Sequence, residues 1–182
     1  MGAELWYHEA PWHPDPANAL RALQARFLAE HYDLPTLLPQ HLIWARDSVA
    51  AARAEGDPYG LVDLYEEKVR LLEGLNSQPI PQEPQAQIEI LRQIHADSGQ
   101  GISNVLDVER ISRKRDVFAA QRLTQAETVQ LVGTESPTLA QARNAIANIH
   151  GGLGRGECVC FPVYDDAGRQ PVAWYFVGNT VD

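Results

Sequence analysis

Glu157–Asn179, ECVCFPVYDDAGRQPVAWYFVGN, is the stretch on which the fold of this chain turns. Two β-prone apolar runs flank Asp165-Asp166-Ala167-Gly168, residues that suit a chain reversal, and together they predict a β-hairpin. Immediately upstream a helix end at His150 runs into a glycine-rich joint, Gly151, Gly152, Gly154 and Gly156. An isolated two-stranded ribbon is marginal in water, so the hairpin needs further cover. Leu5-Trp6-Tyr7, short and aromatic, is placed to add a third strand and to bring the two ends of the chain together. Nearly everything else reads as helix. The expected class is α+β and mainly helical, with an N-terminal three-helix unit and a small antiparallel sheet formed by the C-terminal hairpin.

The first helix is expected over residues 15–32, where Asp15 caps, Pro16 takes the first turn, and Leu20, Leu23, Phe27 and His31 form one stripe. A second is expected from Pro39 to Glu55, ending at Gly56, with Leu42, Ala45, Val49 and Ala52 inward. A third runs from Pro58 to about Leu75 behind Asp57. Short connections between them imply antiparallel neighbours. Residues 78–86 carry Pro79, Pro81 and Pro84 and read as an extended connector between a helical unit (1–77) and a C-terminal part (87–182), expected to form one compact domain overall. Beyond the connector a fourth helix is expected near 85–96 and a loop at Asp97–Gly101. Residues 102–110 are ambiguous between strand and helix, and 112–122 read as helix. Thr124 with Glu127 makes a capping box for a helix to Val132, and Ser136, Pro137 and Thr138 open a last helix reaching His150.

Composition bounds function by exclusion. The chain has 182 residues, 45% of them hydrophobic, and a net charge of -9. Residues 1–77 hold 6 Lys/Arg against 12 Asp/Glu and residues 78–182 hold 9 against 12. Such a chain repels a nucleic-acid backbone, which makes nucleic acid a disfavoured partner. Every apolar stretch is interrupted too early to span a bilayer. The start, MGAELWYHEAPWHPDP, lacks the basic and apolar parts of a secretory signal, and the two cysteines suit a reducing compartment. A cytoplasmic location is expected.

Cys158, Cys160 and His150 form the one constellation with nucleophilic potential, because a thiol needs a nearby imidazole or positive charge to become a reactive thiolate. Residues two apart on a strand share a face without meeting, so the cysteines make a poor disulfide. They are also two ligands short of a zinc site. The glycine joint has the order helix, loop, strand, which presents carbonyls rather than N–H groups; a phosphate cradle needs the reverse. Arg155 remains a candidate anion contact from the loop tip. His8, Glu9 and His13 resemble a metal motif only in letters, since the spacing is wrong and Pro11 breaks the helix it would need. No metal and no cofactor is expected. Arg110, Arg113, Lys114 and Arg115 are a basic cluster balanced by Asp107, Glu109 and Asp116. The stripe His41, Trp44 and Ser48 fits a second packed face or a cleft.

The leading expectation is a non-catalytic protein-interaction protein, an adaptor, inhibitor or immunity-like protein, that binds another protein or its own copies. Trp6, Trp12, Trp44, Arg155 and Trp174 are its candidate contact residues. The alternative is a small thiol-dependent hydrolase or transferase with Cys158 or Cys160 as nucleophile and His150 as base. A further one is RNA or anion binding through Arg110 to Arg115.

Overall fold

The structure, a computed structural model, describes residues 4–96, 102 and 104–180. In chain order these form β1 (Leu5–Pro11), α1 (Pro16–His31), α2 (Leu34–Ala54), α3 (Val62–Asn76), α4 (Pro84–His95), a 3-10 turn (Val105–Asp107), β2 (Arg110–Ser112), β3 (Ala119–Arg122), α5 (Gln125–Val132), α6 (Leu139–Asn144), α7 (Ile146–His150), β4 (Cys158–Tyr164) and β5 (Pro171–Asn179). The class is α+β. The expected loop at Asp97–Gly101 lies outside the described residues.

The hairpin forms, but as part of a larger and mixed sheet rather than a small antiparallel one. Strand order is β1-β5-β4-β3-β2, with β1 and β4 antiparallel to β5 and β3 parallel to both β4 and β2. The turn is held by Asp165, whose carboxylate accepts the Arg169 N–H at 2.8 Å while its carbonyl accepts from Gly168 at 2.8 Å. Gly168 has φ 66°, a left-handed backbone that glycine adopts without cost. Leu5-Trp6-Tyr7 does enter the sheet, and its strand runs on to Pro11.

The expected helix over 112–122 is absent, and this is the main correction. Ala119, Ala120 and Gln121 are buried as strand β3, and Phe118 has φ 59°, which no α-helix accommodates. Burial beside β4 overrides the local helical preference of a sequence rich in Arg, Lys and Ala. Parallel neighbours normally need a crossover of a dozen or more residues. Here β2 is three residues long, so the return spans about 7 Å and the loop over 113–118 suffices.

Helix boundaries follow the capping chemistry. Asp15 accepts the Ala17 N–H at 3.0 Å, and Thr124–Glu127 and Thr138–Gln141 are both complete capping boxes. Asp57 caps across a turn, accepting the Leu61 N–H at 2.6 Å, so α3 begins at Val62 rather than Pro58. The second helix starts earlier than Pro39: Leu34 opens it, and Pro39 lies inside without an N–H to donate. The last expected helix is broken at Ala145 into α6 and α7.

The chain divides into two compact units, Met1–Leu28 with His95–Asp182 and Ala29–Ile94, so the proline-rich 78–86 lies inside the second unit. In the first unit both faces of the sheet are covered. Val159, Phe161, Val163, Tyr175 and Val177 pack with Leu123, Ala142 and Ile149 on one face. Register places Cys158, Cys160, Trp174 and Phe176 on the other, in line with Ala10, His8 and Ala120 of the neighbouring strands. There the Phe27 ring of α1 meets His8 edge-on at 4.9 Å. Gln24 of the same helix donates to the carbonyls of Val105 (3.0 Å) and Val108 (2.7 Å).

Candidate functional site

Cys158 and Cys160 are both free and buried in the middle of the sheet. Burial pushes the Cys160 thiol up to about 12 and Cys158 well above its ordinary value, the latter helped by the charge of Cys160. Both therefore stay protonated, and a protonated thiol is a poor nucleophile. His150 ends α7, whose Ile149 packs with Val159 and Phe161 on the face of the sheet opposite the thiols. The structure does not bring the imidazole and either sulfur together.

The glycine joint is held by the chain's own groups. The Gly154 N–H donates to Glu157 Oε2 at 2.8 Å, the Arg115 guanidinium donates to the Gly152 carbonyl, and Arg115 lies 3.8 Å from the same Glu157 oxygen. A carboxylate from the first residue after the loop thus takes the N–H that an external anion would need. Arg155 is exposed at the tip. The basic cluster is partly neutralised as well: Arg110 pairs with Asp116 and with Glu109 at 3.6 Å, leaving Arg113 and Lys114 exposed on the 113–118 loop.

The tryptophans differ in exposure: Trp6 and Trp174 pack within the fold, whereas Trp12 is 38% and Trp44 53% exposed. Trp6 lies flat across Gly178, so closely that a Cβ there would sit 2.2 Å from the indole. Trp174 is buried, stacks on Trp12 at 5.5 Å with the Arg122 guanidinium 5.4 Å over its ring, and donates Nε1–H to the His13 carbonyl at 2.8 Å. Trp6 and Trp174 are spent on the fold. Trp44 is used only in part: it meets the Tyr65 ring edge-on at 5.9 Å and is still 53% exposed.

Two arrangements were not found from the sequence. Glu9 and Arg143 pair at 2.6 Å beside Tyr7 and the buried Tyr175, although 134 positions separate them. Burial lifts the Tyr175 phenol to about 12, against the lowering pull of the nearby Arg143 guanidinium. No local pattern announces such a pair, because it forms only when β1 joins β5. Glu9 is engaged there and His8 lies against Trp6 and Phe27. Among the described residues no group of three or more His, Cys, Asp or Glu is placed to hold a metal ion.

The second arrangement is the surface of the α2–α3 hairpin. These helices, of 21 and 15 residues, bury only Leu34, Leu38, Ala45, Lys68 and Leu72. Arg46 pairs with Glu73 at 2.7 Å and Arg53 with Glu66, flanking Val49 and Val69 in an open groove of about 310 Å³. Lys68 turns inward and donates to the Ile94 and Gln93 carbonyls at the end of α4. His41 is half-buried, and desolvation followed by the Lys68 charge lowers its pKa. Outside remain Ile43 at 59%, Trp44 at 53%, Leu64 at 43% and, in the connection between the helices, Tyr59 at 81% exposure. The signal for this face was present in the sequence: Ile43 lies opposite the inward stripe Leu38, Ala45 and Val49 of the same helix.

No helix among the described residues is long and apolar enough to cross a membrane. No known protein family, curated protein or solved structure matches the chain.

Proposed function

We propose that this protein acts by binding another protein, as an adaptor or inhibitor, through the outer face of the α2–α3 hairpin. The observation that carries the reading is that two long helices bury five side chains and leave Ile43, Trp44 and Leu64 largely exposed, with Tyr59 exposed in the linking turn. Single exposed apolar residues are ordinary, but a group of them on one hairpin marks a contact surface. Trp and Tyr are also the residues that most often anchor such contacts. The thiols, by contrast, are shielded and protonated, and the sheet that carries them is covered on both faces.

Photo-crosslinking tests this reading. A benzophenone side chain placed at Ile43 or Leu64 should give a discrete adduct in cells of the source, and the same group at the exposed Val172 of β5 should not. Trp44→Ala should remove the adduct. Equal labelling from Val172, or no adduct from either hairpin position, overturns it.

A further inference from the structure

We infer that the partner segment received by the α2–α3 face is a cationic amphipathic helix; this rests on the reading of that face as the binding surface. The argument begins with charge. Residues 29–94 hold 5 Lys/Arg against 11 Asp/Glu, a net of -6 out of the chain's -9. The cations of this unit are largely spent inside it: Arg46 on Glu73, Arg53 on Glu66, Arg92 on Glu89, and Lys68 on the carbonyls at the end of α4. The surplus carboxylates stand where the exposed apolar residues do.

On α2, Asp47 is four residues from Ile43 and three from Trp44, which puts it between them on the outer face. On α3, Glu67 is three residues from Leu64 and four from Asp63. Asp47, Asp63 and Glu67 are exposed and take part in no ion pair among the described residues. Asp63 stands in the first turn of α3, where the helix dipole favours it, but Asp63 and Glu67 are like charges at a spacing that weakens a helix. Exposed apolar residues interspersed with unpaired carboxylates are complementary to a helix with one apolar stripe bordered by Lys or Arg. An acidic ligand or an anionic membrane would be repelled by the same surface.

A designed Leu/Lys amphipathic helical peptide of about five turns is a direct probe, with its Leu/Glu counterpart as control. Calorimetry on the full chain should report binding of the Leu/Lys peptide, weakening as salt rises from about 50 to about 300 mM, and none of the Leu/Glu peptide. Asp47→Lys combined with Glu67→Lys should weaken it on the order of tenfold. Glu135→Lys combined with Asp166→Lys makes the same charge change at exposed positions of the other unit and should alter it less than about twofold. If helicity falls in the reversal pair, Asp47→Asn with Glu67→Gln decides, with an intermediate loss expected. Equal losses in the hairpin and control pairs, or equal binding of the two peptides, overturns the inference. Photo-adducts at Ile43 and Leu64 that survive the charge reversal would leave the interaction reading standing and remove the cationic partner. Absence of both adducts and peptide binding would remove both.

Discussion

Along β5 the six residues from Trp174 to Asn179 are buried in succession, whereas α2 and α3 together bury only five side chains. The difference follows from what each element can cover. A sheet strand offers alternate residues to two faces, and in the first unit both faces are packed, so its apolar residues satisfy one another. A helix in a two-helix hairpin has one inward stripe, and any apolar residue off that stripe stays in water. The longest buried run lies in the sheet, while large apolar residues are exposed in both units: Ile43, Trp44, Tyr59 and Leu64 in the hairpin, and Tyr7, Trp12 and Val172 among others in the first unit.

The largest effect that would break this contrast belongs to the sheet. Phe161→Ala empties a fully buried position between Val159 and Val163 and should cost about 3–5 kcal/mol in denaturant unfolding. A cost below about 1 kcal/mol would mean the sheet face is not the packed core described above. Gly178→Ala should cost roughly 1–3 kcal/mol, because the new methyl enters the space of the Trp6 indole. Pairing it with Trp6→Ala should give a double-mutant coupling that recovers part of that loss. Additive losses would show that the close approach has no energetic content.

Titration should separate the two units by opposite pH responses. The thiols ionise near 9.0 when exposed; burial raises Cys160 to about 12 and Cys158 well above its ordinary value, so their contribution is fully present below about 9 and lost as pH rises beyond it. Each should remove up to about 1.4 kcal/mol per pH unit in that window, and Cys160→Ala should flatten the alkaline slope. His41 has the reverse sign. Its lowered pKa means stability that is present above 6.5 and declines as pH falls, and His41→Gln should remove that acid dependence from the helical unit.

The smallest stability effect is expected on the hairpin surface. Ile43→Ala should change unfolding free energy by less than about 0.5 kcal/mol, and Trp44→Ala, which removes the edge contact with Tyr65, by about 0.5–1.5 kcal/mol, while the pair abolishes the adducts from Leu64. A loss of several kcal/mol would place these residues in the core and end the contrast. Hydrogen exchange offers the global version: amides of α2 and α3 should open at lower cost than those of β4 and β5.

The elements legible in advance were those specified by local chemistry. The capping boxes at Thr124 and Thr138, the cap at Asp15, and the hairpin around Asp165 all depend on residues within a few positions of one another. The third strand was also readable, because an aromatic segment near the start had one obvious place to pair. Strands β2 and β3 were not. Ala119-Ala120-Gln121 has no strand signature, and its conformation is imposed by β4 alongside it. The candidate site was half legible: Trp44 was in view as a contact residue, but not its exposure, nor the company of Ile43 and Leu64.

By itself the amino-acid order determined the capped helix starts at Asp15, Thr124 and Thr138, where the chain reverses at Asp165, and that acidic charge gathers in the helical unit, since each depends on local backbone chemistry or on counting. Only the tertiary structure decided which apolar residues are spent and which are left over. Burial belongs to pairs of surfaces, so Trp174 under Trp12 and Trp44 in solvent carry the same side chain to opposite ends. The same logic keeps Cys158 and Cys160 from His150: the sheet that joins the strands also stands between them.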